Sequence, residues 1–150
     1  MSVFRFNNKA LWILFIVFFT QINTGYSQNL KAYFTFCTFY SPESGPYIET
    51  YLSVVGNSIN YQLNENKLYQ GTIEITYLFK QGEEIKKFKK YNLLSPETED
   101  TTNLANFIDQ QRISLPNGNY EFEINIKDLN STLPAFKSVQ LLNVNYNDKK

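Results

Sequence analysis

The segment Phe107–Asp128, FIDQQRISLPNGNYEFEINIKD, constrains this chain more than any other. Two strand-like runs flank Leu115-Pro116-Asn117-Gly118-Asn119. In the second run Tyr120, Phe122, Ile124 and Ile126 alternate with Glu121, Glu123, Asn125 and Lys127. Side chains on a β-strand point to opposite faces with a period of two, so the run predicts one apolar face and one wet face. An antiparallel sheet lying on a core reads this way. Pro116 fixes its own φ, and Asn117-Gly118 tolerates the left-handed backbone of a tight turn. Tyr120 then stands where a tyrosine corner would pin a connection between sheets, though an ordinary core tyrosine at a strand start explains it equally well.

The same rhythm recurs along the chain. Strands are predicted at Leu30–Phe39, Tyr47–Val55, Ser58–Leu63, Leu68–Lys80, Ile85–Leu94, Phe107–Leu115, Tyr120–Lys127 and Phe136–Tyr146. In the longest, Tyr69, Gly71, Ile73, Ile75, Tyr77 and Phe79 share one face, with Thr72, Glu74, Thr76 and Lys80 on the other. Turn signals about every eight to twelve residues, without a helical period, predict an all-β fold. The favoured architecture is an immunoglobulin-like antiparallel β-sandwich of seven or eight strands. Ser95–Asn103 reads as a polar loop or crossover, and a short helical turn is compatible with Thr102–Phe107. Asp109 falls on the face of Phe107, Ile113 and Leu115, and a buried carboxylate needs partners. The strand is therefore expected to begin later, near Gln111, or Asp109 to cap the loop.

The N-terminus has its own pattern. Arg5 and Lys9 precede the apolar run Ala10–Phe19, and small residues Gly25 and Ser27 follow a polar stretch. A basic start, about ten apolar residues and a small-x-small site describe a secretory signal peptide, whereas a membrane span needs about twenty apolar residues. Residues 1–27 are therefore expected to be cleaved after Ser27, leaving one domain, 28–150, without a membrane span, in the periplasm or secreted. The residue after the cut is Gln28 and not Cys, which argues against lipid attachment. Cleavage removes two of the 14 basic residues and none of the 14 acidic ones, a net charge of −2. That balance argues against a nucleic-acid partner, which favours a basic stripe. Cys37 is the sole cysteine, so no intrachain disulfide forms; it reads as a small buried residue on a strand, with an intermolecular disulfide or reactive thiol as the alternative.

Chemistry is hard to find. With no His in the chain, Ser-His-Asp and Cys-His catalysis and His-containing metal sites are excluded. The glycines are scattered at turns, so no phosphate loop is built. No catalytic, metal or cofactor site is expected. Glu74, Glu121 and Glu123 sit on wet strand faces, where carboxylates are solubilising rather than catalytic. Glu97, Glu99 and Asp100 offer oxygens in a loop, but their spacing matches no calcium motif. Lys86, Lys87, Lys89 and Lys90 surround Phe88 and read as the charged guard of an edge strand, with a patch for an anionic partner as the functional alternative. Asn130-Ser131-Thr132 fits a glycosylation acceptor and a turn alike.

Three stretches carry a resemblance: Phe39–Leu52 (FYSPESGPYIETYL), Leu78-Phe79-Lys80-Gln81-Gly82, and Phe107–Arg112 with Leu115-Pro116-Asn117-Gly118. Together, from about Ala32 to Val144, the chain resembles the N-terminal region of exported bacterial proteins called GWxTD domain-containing proteins. It contains no Gly-Trp-x-Thr-Asp sequence, and members of that family are longer. The resemblance implies an exported β-rich accessory or binding protein, either the N-terminal piece of a longer one or a protein shortened to its first domain, with no activity to carry over. The expected role is a non-enzymatic binding or structural module of the cell envelope with a protein partner, contacted through Tyr40, Pro42, Glu43 and Tyr47. A carbohydrate-binding or accessory domain of an envelope enzyme, with a glycan ligand, is the alternative.

Overall fold

The computed structural model describes residues 29–146, so the predicted signal peptide lies outside the described residues. Eight strands follow one another: β1 (Ala32–Ser41), β2 (Gly45–Val54), β3 (Tyr61–Leu63), β4 (Tyr69–Gln81), β5 (Glu84–Leu94), β6 (Phe107–Ser114), β7 (Gly118–Asp128) and β8 (Phe136–Val144). They form two antiparallel sheets. One has the order β1-β2-β6; in the other β4 is flanked by β5 and β7, β8 lies beyond β7, and β3 pairs with the first residues of β4. This is the strand partition of an immunoglobulin-like sandwich.

Alternation builds the core. Ile73, Ile75, Tyr77 and Phe79 of β4 and Phe122, Ile124 and Ile126 of β7 point inward and are buried. Ile48, Leu52 and Val54 of β2 meet them from the other sheet. Phe122 is the hub: its ring lies 4.3 Å from Phe79 in a stack, 5.5 Å from Tyr77, and 5.5 and 5.6 Å from Phe34 and Phe36 of β1. Those last two contacts join the sheets.

Several expectations need correction. The third strand does not start at Ser58: Gly56–Ser58 is a single 3-10 turn, and Ser58 is buried with its hydroxyl donating to the Val55 carbonyl at 2.6 Å. Gly56 is needed there, since a Cβ would sit 2.1 Å from the Ala105 carbonyl oxygen. No helical turn forms over Thr102–Phe107, because Phe107 already opens β6 opposite Val54. Cys37 is exposed, because Phe34 and Phe36 take the inward positions and the odd-numbered residues of β1 face out.

Asp109 also departs from expectation. β6 is continuous from Phe107, and the Asp109 side chain lies between the sheets. Its partners are supplied from both sides, as Tyr91 Oη donates to one carboxylate oxygen at 2.5 Å and Gln111 Nε2 to the other at 2.8 Å. Lys89 reaches Gln111, and Tyr77 links Tyr91 to Thr50 through hydroxyl contacts of 3.4 Å. Burial, followed by the bond to Asp109, pushes the Tyr91 hydroxyl well above the usual phenol range. A polar seam thus closes the β5/β6 flank.

At the start of β7, Tyr120 is 4% exposed and its hydroxyl donates to the Pro116 carbonyl at 2.9 Å. The tyrosine corner is real. Tyr120→Phe, which removes only that bond, is expected to cost about 1 kcal/mol and to lower Tm by roughly 4 °C in a thermal melt. An unchanged Tm would mean the bond does nothing for stability.

Candidate functional site

The outer face of the β1-β2-β6 sheet concentrates the unusual side chains. Because β2 is central, its outward residues pair on both sides, giving four rows across the sheet: Phe39-Tyr47-Ser114, Cys37-Glu49-Arg112, Thr35-Tyr51-Gln110 and Tyr33-Ser53-Ile108. Glu49 is the centre. Arg112 donates to its Oε1 from Nη2 at 2.7 Å and from Nε at 3.1 Å, and Tyr51 donates to Oε2 at 2.5 Å. Gln110 adds a donor at 3.3 Å. Glu49 faces solvent in register yet is only 8% exposed, because its partners cover it.

Rings frame this cluster. The Arg112 guanidinium lies 4.5 Å over the Tyr47 ring, which stacks on Phe39 at 5.5 Å. At the other end Tyr33 is 70% and Ile108 79% exposed. The Tyr51 bond and then Arg112 hold the Glu49 carboxyl below the usual carboxylate range, while the same bond raises the Tyr51 hydroxyl. Arg112 is raised chiefly by Glu49. Glu49 is therefore a fixed anion with its acceptors occupied, unsuited to moving protons. What the face can do is recognise: a guanidinium 67% exposed on its side chain, set among flat rings.

Of the residues predicted from sequence, Tyr47 lies in this face. Tyr40 lies on the opposite side of β1, its ring 5.9 Å from Tyr146. Pro42 and Glu43 form the exposed tip of the β1–β2 hairpin, which Gly45 closes with φ +74°. The structure thus splits Tyr40 from Tyr47 and adds Glu49, Tyr51, Gln110 and Arg112. Tyr47, Glu49 and Tyr51 at a spacing of two are a signal the sequence contained. Their pairing with Arg112 spans 63 residues and was not readable locally.

The carboxylates of the other sheet are also accounted for. Glu74 pairs with Lys90 at 2.9 Å, and Glu121 with Lys80 at 3.9 Å. Glu123 departs from the expected wet position: it is 4% exposed on the outer face, between Lys137 at 2.8 Å and Lys80 at 2.9 Å. Bonds from Lys137, Lys80 and Asn125 hold its pKa at about 2. Glu97 accepts from Asn64 and Asn66, and Asp100 from Thr102. Among the described residues no three acidic or Cys side chains gather as a metal-binding group. Among the described residues β5, with its four lysines, pairs with β4 alone and is the edge strand expected. Asn130 belongs to a turn, its side-chain amide donating to the Asn60 carbonyl at 3.0 Å.

No family model and no curated protein matches the chain. A solved structure described as "Putative ApaA Protein" from Bordetella pertussis aligns over 77% of this chain and 95% of that one, at 10% identity and a TM-score of 0.33, a likeness too low to bear on fold or function.

Proposed function

We propose that this chain is an exported, non-enzymatic binding module of the cell envelope, the N-terminal domain of a larger protein of the GWxTD domain-containing kind, and that it holds a protein partner on the outer face of the β1-β2-β6 sheet. One observation carries the reading: Glu49, Arg112 and Tyr51 are locked together on a solvent-facing sheet amid Phe39, Tyr47 and Tyr33. Tyrosine and arginine dominate binding hot spots, and side chains already held in place lose less entropy when a partner arrives. The ionised, lysine-paired or arginine-paired glutamates support a role without acid–base chemistry.

The test uses a photo-crosslinking residue at Ile108, exposed on β6. It is expected to trap a partner in cells, whereas the same residue at Leu94 on the other sheet does not. Tyr33→Ala with Tyr47→Ala should weaken capture about tenfold while Tm stays nearly constant. Equal loss of folding would make these rings structural and would overturn the reading. A glycan ligand is the second reading, favoured by the stacked Phe39–Tyr47 pair on a flat face. Binding on a glycan array that vanishes in Tyr47→Ala would select it.

A further inference from the structure

Both oxygens of Glu49 are occupied, but Arg112 is only half used. A guanidinium carries five N–H donors in a planar fork, and more than one side of that fork can face a carboxylate. Glu49 takes one edge: Arg112 donates to its Oε1 from Nε at 3.1 Å and from Nη2 at 2.7 Å. The far end, made of the two Nη1 hydrogens and the second Nη2 hydrogen, meets no acceptor among the described residues.

That free end is also held in place. The near edge is tied to a carboxylate on the central strand β2, and the guanidinium lies 4.5 Å over the Tyr47 ring. The side chain is nevertheless 67% exposed. A long side chain already fixed in one arrangement loses little further entropy when a ligand arrives. Among the described residues β6 pairs with β2 alone, so no strand of this sheet lies beside Arg112 on its other side. Ile108 stands four residues back on the same face of β6, about 13 Å away, and is largely exposed.

We propose that Arg112 is the specificity-determining residue of this face, and that the partner presents an Asp or Glu side-chain carboxylate to the free end of its guanidinium. The proposal rests on the reading of the face as a protein-binding surface and adds the chemistry of what is bound. A carboxylate offers two coplanar oxygens at the spacing of the fork. A phosphate has matching oxygens, but its second negative charge would sit close to Glu49, which already offsets the single positive charge of Arg112. A singly charged group is the better complement. Tyr47 beneath the guanidinium and Ile108 along the strand give the residues around that carboxylate an aromatic and an apolar contact.

The test uses the exported chain and a phage-displayed library of random linear peptides, with counter-selection on the Tyr33→Ala, Tyr47→Ala variant so that only binders of this face are kept. The recovered peptides are expected to share an Asp or Glu. Changing that residue to Asn or Gln should weaken binding to the wild type more than about tenfold by calorimetry. On Arg112→Gln the same change should matter less than about twofold. Arg112→Lys, which keeps a cation beside Glu49 without the planar fork, should fall between the two. The peptide change leaves the domain untouched, so misfolding cannot imitate the result. Peptides that need Tyr33 and Tyr47 but tolerate the amide overturn the carboxylate and leave the binding face standing. Full sensitivity in Arg112→Gln also overturns it, because another group then reads the carboxylate. Peptides that bind both forms of the domain equally, or a selection that returns none, overturn the face and the carboxylate together.

Discussion

Phe122→Ala is expected to destabilise the domain by about 3–5 kcal/mol and to lower Tm by roughly 10–20 °C. Phe122 is 1% exposed and touches four rings drawn from β1, β4 and both sheets, so truncation opens a void that no single neighbour can fill. A domain of this size is stable by about 5–15 kcal/mol, so the variant sits near the limit of folding. Phe122→Leu keeps most of the volume and should cost about 1 kcal/mol. Phe88→Ala, on an edge strand and 55% exposed, should change stability by less than about 0.5 kcal/mol. Chemical denaturation of the three variants checks the order. If Phe122→Ala behaves like Phe88→Ala, the ring is not the junction between the sheets.

Acid should weaken the wild type more than Glu123→Gln. The folded pKa of Glu123 is lowered from 4.5 to about 2, first by Lys137, then by Lys80 and Asn125. A carboxyl with a depressed folded pKa contributes stability that is present above its unfolded value and is lost as pH falls through the folded one. The loss therefore runs between about pH 5 and pH 2. The full shift corresponds to about 3 kcal/mol, and solvent around Lys137, 58% exposed, reduces that to about 2 kcal/mol. Glu123→Gln should thus cost about 2 kcal/mol at pH 7 and almost nothing at pH 2. Glu49 and Asp100 are lowered too, so the difference between the two curves, not the wild-type curve alone, reports Glu123. Parallel curves would show that its lysine partners do not stabilise the fold.

The sandwich was readable because its strands obey a local rule. Tyr120–Ile126 and Tyr69–Phe79 alternate cleanly, and the apolar set of each became the buried set, apart from the half-buried Tyr69 at the start of β4. The tyrosine corner was readable for the same reason, being made by residues four apart. The misreadings share an opposite cause. Asp109 was assumed to lack inward partners because Tyr91 is 18 residues distant in sequence. Glu123 was assigned to water because the lysines that cover it come from β4 and β8. Cys37 was placed inside from the habits of its residue type, although the parity of β1 already pointed it outward. Period-two arguments locate faces. What covers a face depends on which strands pair, and that information is non-local.

Glu49 and Glu123 occupy equivalent positions, each outward on an interior strand of its sheet with cations from the neighbours on top. Were either strand to slide by a single residue, its carboxylate would swing into oil and its phenylalanine or isoleucine neighbours into water. The two anions therefore work as alignment pins, one per sheet, penalising misthreaded states that hydrophobic burial alone would tolerate.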